Sequence, residues 1–168
     1  CHIQIPEARC RDALLTADNQ LLVTASESSL ACWSVASGSL VAQDTREQGR
    51  NFLRLVPDKQ QVLTGNASTV EIRQLPGLEL VRSFELRRDV DSGTNMFGDA
   101  IVRTQDHSLV TGSWNGTITV WDLETSRARV TLSAHATGVH SLVLSPDQQT
   151  LFSAGHDGNV KVWEGGER

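Results

Sequence analysis

Short apolar runs follow one another along this chain, many alternating with polar residues and most bounded by Gly, Pro, Asn, Asp or Ser. Alternation with a period of two predicts half-buried β-strands, and the bounding residues predict turns. The pattern is clearest near the C-terminus. Residues 139–144 are apolar and β-prone, Ser145-Pro146-Asp147-Gln148 is a turn with proline at its second position, and 150–154 is a second strand. His156-Asp157-Gly158-Asn159 is a tight turn of the Asp-Gly kind, which accepts the positive φ that hairpins require. Residues 160–163 then alternate to a tryptophan, Trp163.

The same succession recurs. Strands are expected at 97–102, 109–112 and 118–121, around the turns at 105–107 and 114–117. A looser copy has strands at 52–56, 61–65 and 70–73, and a first copy at 13–16, 21–25 and 30–33. Runs at 40–43, 78–84 and 129–132 supply a fourth strand to three of the copies. From Trp33 to Arg73, Trp121 and Trp163 the steps are 40, 48 and 42 residues. A repeat of that length predicts an all-β array of small antiparallel sheets, with repeats at about 7–44, 45–84, 85–132 and 133–168. His2-Ile3-Gln4-Ile5 reads as a lone outer strand. Pro6, Pro57, Pro76 and Pro146 all fall in turns or at strand edges, as a sheet requires.

Composition narrows the function more than the fold. The 168 residues carry a net charge of −5 with no long basic run, so a nucleic-acid partner is disfavoured. No apolar stretch has the length of a membrane-spanning helix. The three cysteines, Cys1, Cys10 and Cys32, form no metal-binding or disulfide pattern, and a reducing intracellular setting suits them. The glycines mark turns and show no phosphate-cradling order. No cofactor and no metal are expected.

The residues at the repeat ends resemble the WD40 family of β-propellers. Trp121-Asp122 is a literal Trp-Asp ending, Trp163-Glu164 is its one-carbon variant, and 139–147 is similar to the family's inner-strand signature. The resemblance weakens toward the N-terminus, where the dipeptide becomes Trp33-Ser34 and then Arg73-Gln74. It implies a β-propeller of four blade-like repeats, each of four antiparallel strands, forming part of a seven-bladed ring. With Cys1 in first place and Met96 the only methionine, a piece of a larger propeller is expected. Closure as four blades and self-association through open blade edges are the alternatives.

The resemblance also implies a hydrogen-bonded tetrad in each well-formed blade. In the fourth repeat it comprises His135, Ser153, Asp157 and Trp163. In the third it is partial, with Thr111, Asn115 and Trp121 but Gly93 in place of the histidine. The second repeat keeps only Thr64, and the first keeps Thr24 and Trp33. Ser153, His135 and Asp157 have the composition of a catalytic triad. A serine inside a strand, with an indole on its other side and no helix terminus to supply oxyanion donors, argues against one. His156 and Asp157 are adjacent and point to opposite faces, which excludes a paired metal site.

Non-catalytic scaffolding of protein or peptide partners is therefore the expected function. The alternative is a regulatory or sensor segment of a larger multidomain enzyme. Trp114 precedes the turn Asn115-Gly116, where other repeats carry Glu27, Ala67 or His156, and an aromatic there suits a partner contact. The contact ring implied by the family would comprise Arg9, Arg11, Asn51, Met96, Trp114, His140 and His156. Against that, Met96 could fold inward beside Phe97, and Trp114 could lie over a neighbouring blade. The loop 87–95 is longer than its counterpart before the fourth repeat and is a further candidate for partner specificity. An intracellular, cytoplasmic location is expected, with the nucleus as alternative.

Overall fold

A computed structural model describes residues 10–26, 28–45, 52–57, 59–65, 69–85 and 97–164. Among them are fifteen strands and no helix. The chain divides into two compact units, Cys1–Phe84 and Glu85–Arg168.

The first unit holds two four-stranded sheets. One contains β1 (Cys10–Leu15), β2 (Leu21–Ser26), β3 (Ser29–Ser34) and β4 (Leu40–Thr45); the other contains β5 (Phe52–Leu55), β6 (Gln61–Gly65), β7 (Thr69–Gln74) and β8 (Glu79–Glu85). The second unit holds β9 (Phe97–Arg103), β10 (Ser108–Ser113), β11 (Thr117–Asp122) and β12 (Ala128–Ser133). Its other sheet has three strands, β13 (Val139–Leu144), β14 (Thr150–Gly155) and β15 (Val160–Glu164). In every sheet spatial order follows chain order, because short turns can join only neighbouring antiparallel strands. These are blade-like meanders, and the fold is all-β of the propeller type.

Alternation drives the packing. In the first unit Val23, Ala25, Leu30 and Cys32 of one sheet form a single buried cluster with Leu53, Val62, Leu75 and Leu78 of the next. In the second, Val110, Ile118 and Ala134 pack with Val139 and Leu142. Each such aliphatic side chain taken fully from water is worth about 1.5–3 kcal/mol. Burial pushes the free Cys32 thiol's pKa up, which suits a packing role.

The sequence pattern places the first inner strand at 13–16, whereas β1 starts at Cys10. The charged pair Arg11-Asp12 conceals that start. A bulge between Cys10 and Asp12 shifts the register at Arg11. The Asp12 carboxylate then accepts the backbone N–H of Leu53 in the next sheet at 2.9 Å. Asp99 does the same in the second unit, accepting from Leu142 at 2.9 Å. Each carboxylate also takes the N–H of its own neighbour, Ala13 or Ala100. One acidic residue per unit thus joins consecutive inner strands, a role hidden in apolar strand patterns. The strand expected at residues 2–5 and the loop 87–95 lie outside the described residues.

Candidate functional site

The end of the second unit that carries the hairpin turns is organised by His135. Its Nδ1 lies 3.0 Å from the Asp157 carboxylate, and its Nε2 lies 2.8 Å from Ser153 Oγ. The Trp163 indole N–H donates to the same hydroxyl at 2.9 Å. With the proton on Nδ1 every role is filled: Nδ1–H donates to Asp157, the Ser153 hydroxyl donates to Nε2, and its oxygen accepts the indole. Burial pushes the Asp157 carboxyl up. Hydrogen bonds from the backbone N–H groups of Asn159 and Ala136, and from His135, outweigh it and hold the group well below the usual carboxylate range. Ser153 is fully buried and His135 nearly so.

The other sheets carry progressively less of this arrangement. In the third, the Trp121 indole donates to Thr111 Oγ1 at 2.8 Å, while Asn115 accepts from the backbone and hydroxyl of Thr117 inside its own turn. Gly93 lies outside the described residues. In the first, Trp33 donates to Thr24 at 3.0 Å. In the second, Arg73 stands in register where the others have tryptophan, and the buried Thr64 hydroxyl has no hydrogen-bond partner among the described residues. The Arg73 guanidinium is buried too. It pairs with Glu71 at 2.9 Å and with Asp44 of the preceding sheet at 3.0 Å, and it donates to the Leu78 carbonyl. An ion pair replaces the indole–hydroxyl bond there.

Three exposed rings meet above this framework. Trp114 is 50% exposed, and its indole lies 5.3 Å from the His156 imidazole, centre to centre. The His156 ring is in turn 5.1 Å from that of His140. The two turns that hold Trp114 and His156 belong to consecutive sheets. His140 joins them because β13 carries a bulge between Val139 and Ser141, which leaves His140 out of the ladder and re-aims it. Gly98 occupies the corresponding bulge of β9. A Cβ at Gly98 would run into the Val139 carbonyl, so glycine is what lets the bulge of β9 approach the start of β13 so closely.

The structure therefore brings Trp114, His140 and His156 together. Arg11 is exposed at its own bulge in the first unit. Arg9, Asn51 and Met96 lie outside the described residues. Trp114 leans toward the following sheet and keeps half its surface free.

Arg129 carries a role that the pattern of repeats does not display. Its guanidinium donates to Asp122 at 2.6 Å. Asp122 also caps the turn by accepting the N–H groups of Glu124 and Thr125. The Arg129 bond first, and these caps with it, hold the Asp122 carboxyl below its usual range. The signal was a basic residue seven places after the Trp-Asp aspartate.

Chemically the tetrad is closed. Both hydrogen-bonding sides of Ser153 are occupied, and its hydroxyl has no exposed surface from which to attack a substrate. Among the described residues no group of three or more His, Cys, Asp or Glu is arranged to hold a metal ion, and no helix is long and apolar enough to cross a membrane.

The family described as "WD domain, G-beta repeat" matches residues 100–122 and 127–164. The chain is similar to the pre-mRNA-splicing factor PRP46 of Candida albicans, 38% identical over 55 residues, covering 33% of this chain and 14% of that protein. It is similar to the serine-threonine kinase receptor-associated protein of Gallus gallus, 20% identical over 154 residues, covering 92% of this chain and 42% of that one. With transducin-like enhancer protein 2 of Mus musculus it shares 37% identity over 59 residues, 34% of this chain and 8% of that protein. The chain thus spans less than half the length of each of these relatives. Its fold is similar to the crystal structure of the computationally designed Ika4 protein, with a TM-score of 0.79, 18% identity and coverage of 98% and 96% of the two chains.

Proposed function

We propose that this chain, whose residues 100–122 and 127–164 belong to the WD40 repeat family, is a non-catalytic scaffold that binds protein or peptide partners. The contact surface of this reading is the Trp114–His156–His140 cluster. A single observation carries it: a tryptophan half exposed at a hairpin turn, with the His156 imidazole of the next sheet against its ring and the His140 imidazole against that of His156. Folding does not require a large aromatic there, whereas a rigid aromatic on a fixed turn is well suited to anchoring a partner. Below it, the tetrad holds the turn bearing His156 in place, so the residues that resemble a catalytic triad serve as the support of a binding face.

The relatives support the class of function and not its particulars. Their names describe a splicing factor, a receptor-associated protein and a transducin-like enhancer protein, three different settings for similar repeats. The same reading places the protein inside the cell, in keeping with the free thiols of Cys10 and Cys32. The test is affinity capture with wild type and with a Trp114→Ala variant of unchanged melting temperature. Loss of specific partners is expected; an identical partner list would sink the assignment of this face.

A further inference from the structure

At the end of each sheet away from the hairpin turns just described, a tight turn joins the first two strands. In the second unit the turns of adjacent sheets are clasped together. Gln148 Oε1 accepts the Thr104 N–H at 2.8 Å, and its Nε2 donates to the Thr104 hydroxyl at 2.9 Å. The Gln149 amide donates to that of Gln105 at 2.7 Å. The cleft left between these sheets has a volume of about 140 Å³.

The strand registers put Ala17 of the first unit where Thr104 stands, Asp18 where Gln105 stands, and Lys59 where Gln148 stands. Alanine has no hydroxyl to accept a bond, and an ammonium has no acceptor to offer Ala17. The clasp is absent and the corresponding cleft opens to about 370 Å³, a size ordinary for a ligand site. Its lining includes Leu21, Leu55, Val56 and Leu75, with Asp18 and Lys59 as the charged residues. The Asp18 carboxylate is already committed, to the Thr16 hydroxyl at 2.6 Å and the Gln20 N–H at 3.0 Å. Lys59 forms no ion pair or side-chain hydrogen bond among the described residues.

An open aliphatic cleft with one uncommitted cation calls for a ligand that joins an aliphatic body to a carboxylate. We propose that this cleft receives the aliphatic C-terminal residue of a partner polypeptide, its methyl groups against Leu21, Leu55, Val56 and Leu75 and its terminal carboxylate on Lys59. A chain end presents both groups on one residue, and it can enter between two surface turns without threading a loop. Capture of a terminal carboxylate is an established mode of peptide recognition.

The experiment is fluorescence anisotropy with the full chain and a labelled hexapeptide ending Ala-Ala-Leu as the free acid. Saturable binding is expected, weakened about tenfold or more by amidating the peptide C-terminus or by Lys59→Ala, since either removes a charge pair. The double variant Ala17→Thr with Lys59→Gln, which installs the clasp of the second unit, should abolish binding. Trp114→Ala should leave it unchanged, separating this cleft from the aromatic cluster. Absence of binding by the free acid, equal binding by the amide, or binding retained in the clasped variant would each overturn the proposal. So would 4-methylpentanoate competing as well as the peptide, because the occupant would then be a free acid.

Discussion

The carbonyl oxygen of Gly116 accepts the backbone N–H of His135 at 2.9 Å, and that of Ala134 at the same distance. This links the turn that presents Trp114 to the residue that organises the next sheet's tetrad. The exposed cluster and its buried support are consequently one mechanical element within the second unit.

Gly116 itself has φ +83°, and a Cβ there would fall 2.7 Å from the Thr137 carbonyl oxygen and closer still to that of His135. Gly158 offers the control, with φ +78° and open space around it. Gly158→Ala should cost about 1–2 kcal/mol, the left-handed strain alone. Gly116→Ala should cost about 3 kcal/mol or more, because a backbone collision is added. Urea unfolding of both variants checks the difference; equal losses would show that the close approach is not maintained.

Ser153→Ala removes the one oxygen that serves both His135 and Trp163. The indole N–H and the imidazole nitrogen then stay buried and unsatisfied, at a cost of about 1–3 kcal/mol. Near-ultraviolet circular dichroism should report a changed Trp163 environment, and denaturant unfolding a lower midpoint. A change below about 0.5 kcal/mol, the range of a neutral surface substitution, would mean that water or a neighbour replaces the hydroxyl.

Acid should weaken the fold through carboxylates whose pKa values are depressed in the native state, among them Asp157, Asp122, Asp18 and Asp147. A depressed folded-state pKa gives stability that is fully present above the unfolded value, about 4, and is lost as pH falls toward the folded value. Stability should therefore be level near neutrality and decline below about pH 4. In Asp157→Asn that decline should be shallower, since one of the contributing groups no longer titrates. Thermal melts between pH 3 and 7 give the comparison.

Arg73→Ala should be more damaging than truncation of an ordinary surface arginine. It removes the buried cation that Glu71 and Asp44 share, and breaking a buried pair from one side typically costs about 3–5 kcal/mol. Arg129→Ala, which breaks the exposed pair with Asp122, should cost far less. Measured unfolding free energies of the two variants should separate clearly, and similar values would mean that Arg73 is more hydrated than its burial indicates.

Much of the molecule could be read from alternation. The β-strands, their antiparallel neighbours and the turns at Asn115-Gly116 and Asp157-Gly158 follow from local period and turn chemistry. The residues of the fourth sheet's tetrad, His135, Ser153, Asp157 and Trp163, could be named because the resemblance to the WD40 family implies them, not because alternation does. Asp12 and Asp99 could not be interpreted this way. An acidic residue inside an apolar strand makes sense only when the N–H it accepts, on a strand some forty residues away, is in view. Arg73 was equally opaque, since its partners come from β4 and β7 together.

The sequence by itself determined which segments are strands, where the chain turns and which residues repeat, because these depend on side-chain alternation and on backbone preferences within a few residues. Only the tertiary structure decided which side chains from different sheets meet. The joining of Trp114 to His156 and His140 and the carboxylate links to Leu53 and Leu142 depend on bulges and close backbone approaches, and the open cleft beside Lys59 on the missing clasp between the turns of adjacent sheets. Those distances are set by how one sheet packs on the next, and no local pattern encodes them.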